Sequence, residues 1–274
     1  MRSRETETPQ PLRSHPGESA VSPSRRVGRE LRFASYNIHL GIGRDGAFQP
    51  ERIAAVIDEI DADVVALQEV SLGAPGFDML EYLSRTCALS AIAGPTLTTS
   101  SGEYGNALLT RLKHGEVHRW DLTVGRHEPR GAIDLRVAHG GHTLRVIATH
   151  LGLRPGERRR QIRQLLKIVE QDNRFPTVLL GDVNEWFLWG RPLRWMHRHF
   201  RRTPAPATFP AGRPLFALDR IWVEPRRALR RIAVHASKTA RMASDHLPVV
   251  ATLDFGPSQK VVRAGGTSPA MAAG

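Results

Sequence analysis

The sequence predicts an α/β (α+β) protein folded as a four-layer sandwich, two packed mixed β-sheets with helices outside them. Three observations carry that expectation. Strand-like runs are numerous along the chain, and helix-like runs are interleaved with them rather than segregated. The clearest helical runs carry apolar residues on one face only, as helices covering a sheet do.

The elements follow in order. Residues 1–29 mix Ser, Pro, Glu and Arg with few large apolar groups and read as a disordered tail, as do residues 257–274. Between them, residues 30–256 read as one domain with no internal repeat. Leu31–Ile38 is a β-rich run. Pro50 opens a helix that places Ile53, Val56, Ile57 and Ile60 on one face. Asp63–Val70 is a short apolar strand and Phe77–Cys87 a second helix. Residues 104–110, 117–123, 131–138 and 143–149 read as successive strands, several of them antiparallel. Gly156–Gln171 is an amphipathic helix with Ile162, Leu165, Leu166 and Val169 on its buried stripe. Thr177–Leu180, Leu218–Val223, Ile232–His235 and Leu247–Phe255 complete the strands.

Composition narrows the function classes. Of the net charge of +12, residues 1–30 supply two and residues 256–274 another two, which leaves eight on the body. That excess favours an anionic partner: nucleic acid, anionic lipid or a phosphorylated small molecule. A single cysteine, Cys87, excludes an intramolecular disulfide framework and a cysteine-based zinc site. No apolar run approaches the roughly 20 residues that span a bilayer, and the N-terminus lacks a secretory apolar segment. The bacterial-type cytoplasm is the expected location, with the membrane surface as a second setting. A monomer without an obligate protein partner is expected.

The chemistry lies in the polar residues at strand ends. Tyr36-Asn37-Ile38-His39, Leu67-Gln68-Glu69-Val70, Ala148-Thr149-His150-Leu151 and Leu180-Gly181-Asp182-Val183-Asn184 each close a strand. Leu218-Asp219-Arg220-Ile221 and Ser244-Asp245-His246 open two more. Alone, each has a bland reading: a Glu after a strand is usually a turn residue, and Gly-Asp-x-Asn could be an Asx-turn. Together they place metal-binding and phosphate-binding groups on loops that converge at a sheet edge. There is no Gly-x-x-x-x-Gly-Lys phosphate loop, and Gly41-x-Gly43 reads as a turn rather than a dinucleotide fingerprint.

In this order, from about Leu31 to Phe255, the segments resemble the endonuclease/exonuclease/phosphatase superfamily. That group holds deoxyribonuclease-I-like nucleases, abasic-site endonucleases, inositol-polyphosphate 5-phosphatases and neutral sphingomyelinases. Gly181-Asp182-x-Asn184 and the terminal Ser244-Asp245-His246-x-Pro248 are the most specific elements. The resemblance implies that Asn37 and Glu69 hold a divalent cation and that Asp245 reaches it. Oxygen donors favour Mg²⁺ or Mn²⁺. Asp182 is implied to orient and deprotonate the attacking water, and Asn184 to hold a phosphate oxygen. His246 is implied to donate to a non-bridging oxygen, with Asp219 or Asp245 keeping it charged. His150 matches a histidine that abasic-site endonucleases lack, and a cationic imidazole there would stabilise the phosphoryl group or protonate the leaving oxygen. Arg130 matches a phosphate-contacting arginine, and Tyr104 and Asn106 match a family strand, where lining the cleft and packing are equal expectations.

The substrate is less constrained. Arg159, Arg163 and Lys167 share the polar face of one helix, most simply a solvated face. Trp186–Arg202 follows Asn184 and combines three Trp with Arg191, Arg194 and further cations. Leu193, Met196 and Phe200 within it have helical spacing and are expected to pack inward, while Arg191 and Arg194 are expected at the cleft. Such a segment suits stacked bases with a phosphate backbone or a membrane interface. The leading expectation is a metal-dependent nuclease-like phosphodiesterase. A lipid or inositol-phosphate phosphodiesterase at an anionic surface and a catalytically silent anion-binding module are the alternatives. The intervening loops are short, which weakens the abasic-site reading in particular.

Overall fold

Alternating apolar residues resolve into two sheets in a computed structural model that describes residues 30–74, 76–100 and 102–256. The two tails expected from composition lie outside the described residues. In chain order the elements are β1 (Glu30–Asn37), α1 (Pro50–Ile60), β2 (Val64–Leu72), α2 (Met79–Thr86), β3 (Ser90–Thr99), β4 (Gly102–Thr110), β5 (Lys113–Asp121) and β6 (Gly131–His139). They continue with β7 (His142–His150), α3 (Pro155–Gln171), β8 (Thr177–Asp182), α4 (Arg191–Phe200), β9 (Asp219–Glu224), β10 (Leu229–Val234), α5 (Lys238–Ala243) and β11 (Val249–Asp254). One sheet has the order β10-β11-β1-β2-β4-β3 and the other β5-β6-β7-β8-β9. Each is mixed: β1 with β2 and β7 with β8 run parallel, and the other neighbours antiparallel.

Strand parity sorts the core into layers. Phe33, Val64, Leu135, Val146, Leu180 and Ala251 fill the space between the sheets. Residues of the opposite parity, such as Ala34 and Val65, pack beneath α1 and α2. On the far side Ile147, Leu179 and Trp222 meet α3 and α4. The four-layer sandwich is the architecture the sequence predicts.

Some expectations needed correction. β3 was not foreseen because Gly94-Pro95 interrupts its pattern; a proline is tolerated there because β3 is an edge strand. α5 is only six residues long, too short for a helical stripe, and starts at an N-cap in which Ser237 accepts from the Ala240 N–H. The second helix begins at Met79 rather than Phe77, because Asp78 caps it by accepting from the Glu81 N–H. On α3 the buried stripe takes Ile168, while Leu166 is half-buried. Gly41, at φ +78°, lies in a single tight turn, as read from sequence.

Candidate active site

The inter-sheet rows end in polar residues, and this locates the site. Val178 and Leu180 of β8 point between the sheets, so Asp182 does too; the same parity carries Leu144, Val146 and Ala148 to His150 on β7. His150 pairs in register with Asp182, and Asp182 with Asp219 across β9. Three polar side chains therefore stand side by side at one mouth of the gap. Asn37 ends β1 on the facing sheet with the parity of Leu31 and Phe33. Gly181 lets β8 approach β7 this closely: at φ +151°, a Cβ there would drive into the Thr149 carbonyl.

Glu69 obeys a different rule. Its parity, shared with Val65 and Leu67, should send it beneath the helices. A bulge between Leu67 and Val70, with Glu69 at φ +56°, turns it instead toward Asn37, whose Nδ2 donates to Glu69 Oε1 at 2.9 Å. β2 accordingly runs through Glu69 to Leu72 and does not close there. Asn184 adopts a similar left-handed conformation at φ +50°. Such backbone strain outside glycine clusters at functional sites.

Asp182 is the hub. Its carboxylate accepts from Asn37 Nδ2 at 3.2 Å and from the Asn184 backbone N–H at 2.9 Å. His150 Nε2 lies 3.7 Å away and His246 Nε2 3.8 Å. His246 donates through Nδ1 to Asp219 at 2.8 Å, and Asp219 also accepts from the Thr208 hydroxyl at 2.6 Å. Burial opposes charge on His246, but Asp219 foremost, then Asp182 and Asp245, outweigh it and push its pKa up to about 10. Thr208, fully buried in the loop before β9, was not anticipated; nothing in its Pro- and Ala-rich surroundings marks it. Phe209 lays its ring 4.8 Å from the His246 ring.

The two imidazoles are opposite in character. Burial pushes the His150 pKa down to about 3; Asp182 opposes this, while Arg130 and His246 add to it. Burial thus disfavours the cationic form of His150 that the resemblance implies. Its Nε2 accepts from Asn184 Nδ2 at 3.1 Å, and the same amide donates to the Leu151 carbonyl at 2.9 Å. Asn184 therefore commits one amide proton to His150 and the other to the Leu151 carbonyl, and donating to a phosphate oxygen would require that amide to turn. Arg130 is buried, its guanidinium bridging Glu128 at 2.9 Å while its Nε has no partner. The Tyr104 hydroxyl pKa is pushed upward by burial and then by Glu69, with Arg130 opposing. Asn106 donates to the Gly131 carbonyl at 3.3 Å, a bond that ties β4 to the other sheet. Arg191 and Arg194 lie exposed on α4, the helix that follows the loop after Asn184.

The carboxylates bear on a cation. Glu69 is raised above the usual range by burial, with Asp245 and Asp182 adding to the shift and only the Asn37 amide and His39 relieving it. Among the described residues no lysine or arginine pairs with it, so this oxygen-rich corner fits a divalent cation. Asp182, Asp219 and His246 also bring ligand atoms within 4.8 Å of one another. There the His246 Nδ1 is already engaged by Asp219 at 2.8 Å, which leaves the Glu69 corner the freer set of oxygen donors.

Known proteins resemble this chain in sequence and in fold. A family model described as Endonuclease/Exonuclease/phosphatase family matches residues 34–246. The chain is 31% identical over 252 residues to the uncharacterized protein YbhP of Escherichia coli K12, covering 84% of this chain and 99% of the relative. The crystal structure of an endonuclease/exonuclease/phosphatase from Beutenbergia cavernae superposes with a TM-score of 0.69 at 26% identity, over 84% of this chain and 72% of that one. A mannosyl-6-phosphatase of Bacteroides thetaiotaomicron shares the fold at 18% identity, with a TM-score of 0.63 over 81% and 98% of the two chains.

Proposed function

This chain belongs to the endonuclease/exonuclease/phosphatase family, whose members are generally phosphoester hydrolases, and from that premise we propose that it hydrolyses a phosphodiester with a water molecule activated by Asp182. The observation that carries the proposal is the placement of one buried carboxylate, Asp182, within 3.8 Å of two imidazoles of opposite protonation preference.

The water gives its proton to Asp182 as its oxygen attacks phosphorus; the opposite ester bond breaks, and its electron pair leaves on the ester oxygen, which takes a proton from solvent. Negative charge grows on the non-bridging oxygens. His246, held as a cation by Asp219 and by Thr208 behind it, donates to them through Nε2. His150 takes part as a neutral ring fixed by Asn184, not as a second charge. Glu69, Asn37 and Asp245 are the residues that would hold Mg²⁺ or Mn²⁺. When bound, such an ion neutralises phosphoryl charge and makes water more acidic. This complete set of groups supports catalysis over silent anion binding.

A panel of plasmid DNA, RNA, phosphatidylglycerol, sphingomyelin and inositol phosphates, each with Mg²⁺ and with Mn²⁺, tests the proposal. One class should be hydrolysed by the wild type and not by Asp182→Asn. Failure on the whole panel and on a small soluble diester would remove the proposal.

A further inference from the structure

Among the described residues, the exposed large apolar side chains lie on the segments that adjoin the strand ends carrying the site. They are Phe48, Leu153, the run Trp186 to Trp189, Leu215, Phe216 and Met242. Each lies on a segment next to a residue of the site. Phe48 follows β1 with its Asn37, Leu153 follows His150, and Trp186 follows Asn184. Leu215 and Phe216 precede Asp219, and Met242 precedes Asp245. Leu153, Trp189 and Leu215 are each more than 60% exposed, with values of 62%, 73% and 64%. An apolar ring around a cleft mouth marks an interaction surface.

The ring is built into the site. Trp186 packs its ring 4.8 Å from Phe216 and 5.7 Å from Phe209, which in turn covers His246. Glu185 anchors the start of the 186–190 loop from below: it is buried, pairs with Arg158 at 3.4 Å and accepts from the Phe187 N–H at 3.3 Å. Arg44 N–H donates to the Met242 carbonyl at 3.0 Å, joining two more of the segments.

Charge identifies the partner. Each apolar tip has an exposed cation beside it: Arg44 near Phe48, Arg154 after Leu153, Arg191 after Trp189, Arg213 before Leu215 and Lys238 before Met242. The acids of these segments are otherwise committed. Asp45 is bridged to Arg52 at 2.8 Å, Glu185 is buried, and Asp245 belongs to the site. Apolar tips set among cations match a bilayer with anionic headgroups. Bases would stack on Trp and Phe, but Leu153, Leu188, Leu215 and Met242 offer no π-face and suit hydrocarbon better.

We propose that this face docks on an anionic lipid bilayer and that the phosphoester delivered to the cleft is that of a lipid; the second clause rests on the hydrolase reading above. The test is co-sedimentation of the full chain with vesicles of phosphatidylcholine, with and without phosphatidylglycerol. The wild type should sediment with the phosphatidylglycerol vesicles. L188S/W189A should weaken that partition by about tenfold or more while turnover of a soluble diester stays within about twofold, because only apolar surface away from the chemistry is removed. Leu153→Ser and Leu215→Ser should weaken it in the same direction, and unchanged thermal melts would show that each variant folds. Wild type left in the supernatant, or L188S/W189A sedimenting like wild type, overturns the proposal. So does loss of single-stranded DNA binding in that variant with vesicle partition intact, which would assign the ring to nucleic acid. Vesicle binding without soluble-diester turnover supports docking and removes only the hydrolase reading.

Discussion

Thr208 shows how far the candidate site extends past the motif residues. Its hydroxyl donates to Asp219, which in turn fixes His246, so a chain of buried bonds sets the imidazolium. Thr208→Val keeps the shape and removes the donor, leaving a buried carboxylate short of a partner at a cost of about 1–3 kcal/mol. We expect kcat on a soluble diester to fall about tenfold with KM little changed, because His246 is loosened rather than lost. An unchanged kcat would show that Thr208 only packs. Glu69→Ala should first raise the concentration of Mg²⁺ or Mn²⁺ needed for half-maximal activity; an unchanged metal requirement would place the cation elsewhere. Most of these residues were legible in the sequence because a charged or amide group at the end of an apolar strand stands out. The aim of Glu69 was not: parity points it the wrong way, and only the bulge corrects it. The lowered pKa of His150 is hidden for a similar reason, since it follows from burial that no local pattern records.

At the scale of elements, Arg145 joins α3 to its sheet. Its guanidinium is buried, bonds Asp134 at 2.6 Å, and donates to the carbonyls of Ile168, Val169 and Asp172 at the end of α3. These are the carbonyls a helix end leaves unpaired. Burial alone would raise the Asp134 carboxyl, but Arg145 and then Arg136 hold it below the usual carboxylate range. A depressed native pKa stabilises the fold above the unfolded value of about 4 and loses that contribution as pH falls through the native value. Asp134→Asn should therefore cost about 3–5 kcal/mol near neutral pH, since it leaves Arg145 buried without its counter-ion. The gap from wild type in urea unfolding should narrow as pH drops below about 4. A gap independent of pH would contradict this role. α3 itself is legible from its 3.6-residue period, and the helical spacing of Leu193, Met196 and Phe200 matches their burial on α4. Trp195 did not remain available as an interfacial residue. It is half-buried on α4, with the Arg163 guanidinium 4.7 Å from its ring centre, so the run of three Trp divides between a loop and a helix contact.

Viewed as a whole, the molecule keeps its chemistry at one end because the gap between the sheets is apolar until the strand termini. Asn37, His150, Asp182 and Asp219 are where that filling turns polar, and Glu69 and His246 join them there. The same end carries the exposed apolar ring and its cations, so surface recognition and hydrolysis would share one face. The layered fold was legible from interleaved periodicities, whereas the one-sided distribution of exposed apolar groups emerged only in three dimensions. The central claim is that Asp182 activates water for phosphoester hydrolysis in a cation-dependent site. It is tested most directly by turnover of a small soluble phosphodiester by wild type with Mg²⁺ or Mn²⁺, by wild type in chelator, and by Asp182→Asn with metal. Wild type should turn over only with metal, and Asp182→Asn should be slower by about a hundredfold or more while still folded. Equal rates for wild type and Asp182→Asn, or full activity in chelator, would contradict it.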